Sequence, residues 1–284
     1  MILRNFAEKN MDKINWFYLS ENPNAESILQ NNLDKVHWPR LSENTGVIRI
    51  LENNLNKICW SLLSGNPNAI NILENNLDMI DWDSISCNPN AIHIIEDNLD
   101  KVNPSLLCKN PNAVHLIEDY LLDDNLDEIH WPFLSGNHNA IHILENHLDK
   151  IQWQCLSSNP NAIQLLEDNL DKIHWEYLSS NTNAIHIIEK NLDKVNWNYL
   201  SRNPNAIHIL ENNLDKVNWP WLFGNTNATR IFENNLDKIK WWYLSSNPGA
   251  IHIIEDNIEK IHWDNIWKNP NIFYKGKPTK GARH

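Results

Sequence analysis

The chain has 284 residues, 42% of them hydrophobic, so it can bury a core and wholesale disorder is excluded. Its net charge of −12 disfavours a nucleic-acid backbone or an anionic membrane as the main partner. No stretch approaches the length of a membrane span, and no secretory apolar run follows Met1. Cys59, Cys87, Cys108 and Cys155 form no CxxC pair, so neither a zinc knuckle nor a disulfide ladder is indicated, and a reducing compartment is the simpler expectation.

From the first residues onward one unit recurs. Trp16, Trp38, Trp60 and Trp82, then Trp131, Trp153, Trp175, Trp197, Trp219, Trp241 and Trp263, follow a stride of 22 residues with one exception. Between Trp82 and Trp131 lie two strides plus five residues, with Pro104 where a tryptophan is due. Twelve copies of a short unit therefore occupy residues 1–272, which reads as one repeat domain. Identical copies also argue against an enzyme, because catalysis needs unlike residues converging at one place.

Residues 1–21 read as a degraded first unit: Met11, Ile14, Trp16 and Leu19 are in register, but no Asn-Pro precedes them. In a complete unit such as Asn203–Gly224, Asn203 reads as a helix N-cap and Pro204 as the first helical position. Ala206, Ile207, Ile209 and Leu210 then share one face at helical spacing, opposite Asn205, His208, Glu211 and Asn212. The pattern predicts a helix of about three turns that stops at Asn213-Leu214, with the asparagine left-handed and the leucine folded back. After a turn at Asp215-Lys216-Val217, a second, shorter helix starts near Asn218 or Trp219 and carries Leu222. Apolar residues at helical rather than alternating spacing, with few glycines, set this unit apart from a leucine-rich repeat with a strand. The fold class is all-α: an α-solenoid of about twelve 22-residue helix–turn–short-helix repeats. Stacked at about 9 Å per packed helix, the units predict a rod or superhelix on the order of 110 Å long.

Stacking turns equivalent positions into columns. The tryptophan column reads as core, wedged between helices. The turn aspartates read as bonding to backbone N–H groups and the turn lysines as alternating with glutamates. His93, His115, His142, His186, His208 and His252 share one position, each three residues before a glutamate on the same helix. They read either as a solvated structural column or as a pH- or metal-responsive face; no HExxH motif accompanies them, and no metal or cofactor is called for. The second residue after the tryptophan is mostly aromatic in the C-terminal half: Phe133, Tyr177, Tyr199, Trp221 and Tyr243. That stripe reads either as packing between short helices or, beside an acidic face, as a protein-binding surface.

The fifth unit departs twice from the pattern. It has Pro104 for tryptophan, and its helix runs on through Tyr120 to Asp123 and Asp124, with the insertion near 120–124. Pro104, Tyr120, Asp123 and Asp124 together read as a bend or irregular docking point, or as drift in a dispensable repeat. Residues 273–284 read as a basic, disordered tail.

The run NPNAIHILENNLDKVNW with its WxxLSxNPNAI junction resembles repeat proteins encoded in bulk by large and giant DNA viruses, of the chlorella-virus and mimivirus kind. The resemblance implies a protein-binding repeat with no catalytic residues. The leading expectation is a monomeric, non-enzymatic interaction scaffold directed at host proteins in the cytoplasm of an infected cell. The alternative is a structural part of a virus particle or assembly. The partner class is protein, with no nucleic acid and no membrane.

Overall fold

Two single-turn helices and two tight turns make up each repeat in the computed structural model, which describes residues 1–122 and 129–275. Twenty-four α-helices lie among the described residues, most of four to six residues, and the repeats stack helix on helix as an α-solenoid. The chain divides into two compact units, Met1–Cys59 with Thr229–His284, and Trp60–Ala228.

Within the second unit, one repeat shows why these residues form these elements. The Trp helix, Trp197–Arg202, begins where expected, because the Asn196 side chain accepts the backbone N–H groups of Asn198 and Tyr199. The following helix is shorter than the sequence suggests: the Ile helix spans Ile207–Glu211, little more than one turn. Asn203 is not its N-cap. Its Oδ1 accepts the Asn205 N–H at 3.0 Å, closing a turn in which Pro204 lies, and the helix starts only after Ala206. Its Nδ2 donates instead to the carbonyls of Ser179 and Asn181 in the preceding repeat, both at 3.1 Å. After the asparagine that opens a repeat, proline starts a 3₁₀ turn at Pro248–Ala250 and Pro270–Ile272.

The helix stop also differs from expectation. Asn169 has φ −135° and ψ 48°, which is not left-handed, and it ends its helix by donating Nδ2 to the Leu165 carbonyl at 2.9 Å. The leucine after this asparagine is not uniformly folded back: Leu77, Leu99, Leu148, Leu170 and Leu236 are 44–51% exposed, while Leu33, Leu192 and Leu214 are half-buried. A single 3₁₀ turn, such as Leu170–Lys172, then leads to the next Trp helix.

The core is made of alanine and branched aliphatic columns. Ala162, Ala184 and Ala206, Leu156, Leu178 and Leu200, and Leu166, Ile188 and Leu210 are all fully buried. The serine and asparagine columns are buried beside them, yet their hydrogen bonds are satisfied, which is the condition for burying polar groups. Ser201 Oγ donates to the Trp197 carbonyl at 2.7 Å and accepts the Asn218 N–H of the next repeat at 2.9 Å. Every tryptophan on the 22-residue stride is only half-buried. That corrects the expectation of a tryptophan core: the indole is a lateral flap, covered on one face by the lysine of the following turn. Lys172 Nζ lies 4.8 Å from the Trp153 ring centre, Lys194 5.0 Å from Trp175 and Lys216 4.9 Å from Trp197. The lysine column thus caps rings rather than alternating with glutamates.

In the first unit the two ends of the chain meet. Strand β1, Ile2–Leu3, pairs antiparallel with strand β2, Phe273–Tyr274, with Ile2 opposite Tyr274. Asn22 Nδ2 donates to the carbonyls of Trp267 and Asn269, both at 3.0 Å, as Asn44 does to those of Ser20 and Asn22. Lys13 lies 4.4 Å over Trp263, as Lys35 lies over Trp16. The first repeat therefore has the last as its stacking neighbour, a contact that the expected rod or superhelix did not include.

One repeat is in fact assembled from both ends. The last unit supplies the turn Asn269–Ile272, with Asn269 donating to Ser245 and Asn247, and Ile272 fully buried at the alanine position. The first unit supplies the missing helix, Asn5–Glu8, with Phe6 and Ala7 buried and Asn10 Nδ2 bonded to the Phe6 carbonyl. Arg4 N–H donates to the Ile272 carbonyl at 2.8 Å and joins the two halves. The absent Asn-Pro of the first unit is the one that closes the last. Phe273 and Tyr274, at the start of the expected tail, form strand β2; residues 276–284 lie outside the described residues.

Candidate functional site, an aromatic groove on the Trp60–Ala228 unit

Position three of each Trp helix points sideways, since Leu at position four takes the core. Repetition at this position brings side chains 22 residues apart into contact. In the second unit Tyr177 and Tyr199 have ring centres 5.9 Å apart, and Tyr199 and Trp221 5.2 Å apart, so three of the expected residues form one continuous stripe. Trp221 remains 37% exposed. Gln154 Nε2 donates to the Tyr177 hydroxyl at 2.6 Å. Interaction with the Glu176 carboxylate, with some desolvation, raises the Tyr199 pKa above that of an ordinary tyrosine.

Two cavities open along the stripe. One of about 420 Å³ is lined by Lys109, Phe133, His138, Gln154, Cys155 and Tyr177 among others. The second, about 340 Å³, is lined by Ser180, Tyr199, Arg202, Asn203 and Trp221. Small residues between serine and asparagine, Gly136, Ser158 and Ser180, leave the space open. Phe133 thus shares a cavity with Tyr177, with Lys109 Nζ 3.9 Å from its ring centre. Tyr243 belongs to the first unit, where it is 47% exposed.

The histidine column is arranged differently from the same-helix pairing that its spacing suggests. Each histidine bonds the glutamate of the preceding repeat: His93 to Glu74, His115 to Glu96, His142 to Glu118, His186 to Glu167, His208 to Glu189 and His252 to Glu233, at 2.5–2.9 Å. The two helices abut at this height, so the neighbouring carboxylate is nearer than the one a turn away. These side chains are about half exposed, and no group of three metal-ligating side chains occurs among the described residues.

Pro104 takes over the tryptophan's place in the chain. It starts the helix Pro104–Leu107, with Asn103 accepting the Leu106 N–H, so the backbone there keeps the repeat geometry without a ring. The next helix extends over nine residues, Val114–Leu122, and includes Tyr120. Asp123 and Asp124 lie outside the described residues. Cys87 and Cys108 are free; Cys87 Sγ faces the Leu106 carbonyl and Cys108 Sγ the Pro104 carbonyl, both at 3.5 Å. Burial raises the pKa of both thiols and of Cys155.

Two features escape a reading of the repeat alone. The exposed leucines of the 3₁₀ turns form a second apolar column, legible only as an apolar residue fixed in a turn. Lys109 and Arg202 line the cavities; their signal is a cation at a position that is otherwise Gly65, Cys87, Gly136, Ser158, Ser180 or Gly224 in this unit.

Known protein families, curated proteins and solved structures contain no match to this chain. No helix among the described residues is long and apolar enough to cross a membrane.

Proposed function

We propose that this protein is a non-enzymatic protein-interaction scaffold and that its binding surface is the aromatic groove of the Trp60–Ala228 unit. The observation that carries the reading is the Tyr177–Tyr199–Trp221 stripe, whose rings stand in contact and open onto two cavities. Rigid aromatic side chains bury much area at small entropic cost, which is why they dominate binding hot spots. Solenoids offer such surfaces repeatedly along one face.

On the resemblance of the repeat to those of large DNA viruses, the proposed partners are host proteins and the proposed site of action is the cytoplasm of an infected cell. A structural role in a particle would draw on the end faces of the stack, since a head-to-tail contact builds filaments. The first and last repeats use those faces on each other, which favours a monomeric scaffold.

Affinity purification from infected-host lysate tests this reading, with the intact chain compared to a Tyr177→Ser, Tyr199→Ser, Trp221→Ser variant. The expected outcome is a set of host proteins lost with the variant while its helical circular dichroism spectrum is retained. Retention of every partner by the variant contradicts the assignment.

A further inference from the structure

The groove has a charge opposite to that of the protein carrying it. In a chain of net charge −12, the charged residues lining the two cavities are Lys109 and Arg202, and no carboxylate lines either one. Glu176 acts on Tyr199 from beside the second cavity without lining it. Neither Lys109 nor Arg202 takes part in an ion pair among the described residues.

The first unit supplies an internal contrast. There a cation also meets aromatic rings at this level, with Arg40 4.8 Å over Phe17 and Lys268 6.0 Å over Tyr18. Those cations are neutralised by the chain itself: Arg40 Nε lies 3.1 Å from Glu21, and Lys268 Nζ 2.9 Å from the same carboxylate. In the second unit the positions equivalent to Glu21 are otherwise Gly65, Cys87, Gly136, Ser158, Ser180 and Gly224, none of them acidic, so Lys109 and Arg202 keep their charge available. A guanidinium beside two aromatic faces presents forked donors to a carboxylate while the rings receive the apolar part of the same segment.

Accepting the interaction reading above, we infer that the occupant of this groove is an extended peptide segment of a partner protein, carrying carboxylates at its two ends and aromatic or proline residues between them. Lys109 and Arg202 are four repeat steps apart. At about 9 Å per step this is on the order of 36 Å. An extended chain rises about 3.3 Å per residue, so a segment of roughly a dozen residues joins the two cations. Such a segment crosses the repeats, laying its side chains into successive gaps between Phe133, Tyr177, Tyr199 and Trp221.

A library of random 12-residue peptides, displayed and selected on the full-length protein, provides the test. Selected peptides are synthesised and titrated against the intact chain and the Lys109→Glu, Arg202→Glu and Tyr199→Ser variants. Both cations are exposed, so the charge reversals are expected to leave the melting curve unchanged. The expected result is enrichment of acidic peptides with aromatic or proline residues, whose affinity falls at least tenfold in Arg202→Glu and also falls in Lys109→Glu. Basic or uncharged peptides that still depend on Tyr199 overturn the acidic partner and leave the groove as the binding surface. Binding indifferent to all three variants, or no enrichment, overturns this inference and removes support for the groove itself.

Discussion

Asparagine at the start of each repeat directs its whole side chain to places that only stacking creates. Asn181 Nδ2 donates to the Ser157 carbonyl at 3.1 Å and the Asn159 carbonyl at 2.9 Å, while its Oδ1 accepts the Asn183 N–H at 3.0 Å. It is 2% exposed, so no water replaces a lost bond. Asn183 two residues on makes one similar bond, to the Pro160 carbonyl, at the surface. The isosteric change Asn181→Asp removes both donated bonds and leaves a carboxylate facing two carbonyls. Its expected cost is about 3 kcal/mol or more, against less than about 1 kcal/mol for Asn183→Asp, as read from urea unfolding. Equal losses contradict the ladder. This is also where sequence reading failed for a physical reason: Asn-Pro is a good local signal for a helix start, and nothing local reveals that the amide has a stronger use one repeat away.

At the scale of the element, the Trp helix was legible because its signals are local. In several repeats the residue before the tryptophan accepts an N–H three residues on, as Asn218 does from Trp221, and proline follows some of the tryptophans where a first turn tolerates it. The Ile helix was legible in its face but not its length, because the asparagine turn takes up the three residues after Asn203. The aromatic stripe was visible as a column, and stacking decided that its rings touch each other yet stay open. The cations were not read, because their meaning depends on which carboxylates fail to reach them. The tryptophan itself was misplaced by analogy with core stripes: a lysine covers one face and leaves the ring half-buried. Trp153→Ala is accordingly expected to cost about 2–3 kcal/mol, short of the roughly 3–5 kcal/mol of a fully buried aromatic residue. Urea unfolding checks it, and a loss as large as that of a core ring contradicts the lateral position.

At the scale of the whole molecule, the repeat number and the solenoid class follow from the 22-residue stride, but the fate of the ends does not. The two irregular ends looked like decay. They are the halves of one repeat: Asn269–Ile272 brings the turn, Asn5–Glu8 brings the helix, and the bond from Arg4 to Ile272 joins them. Trp267 fills the serine position with a fully buried ring whose Nε1 donates to the Lys13 carbonyl at 2.7 Å, and Arg4 pairs with Glu255 at 2.7 Å. A stack that satisfies its own end faces leaves its lateral surfaces, the aromatic groove among them, for partners. The most direct test of that account is single-molecule energy transfer between dyes at Lys9→Cys and Glu259→Cys. These positions are exposed, and the four native cysteines are replaced by serine, which at Cys108 is the residue other repeats carry. The account predicts one population of high transfer efficiency at all protein concentrations. Near-zero transfer in the isolated chain, or high transfer appearing only as copies associate, contradicts it.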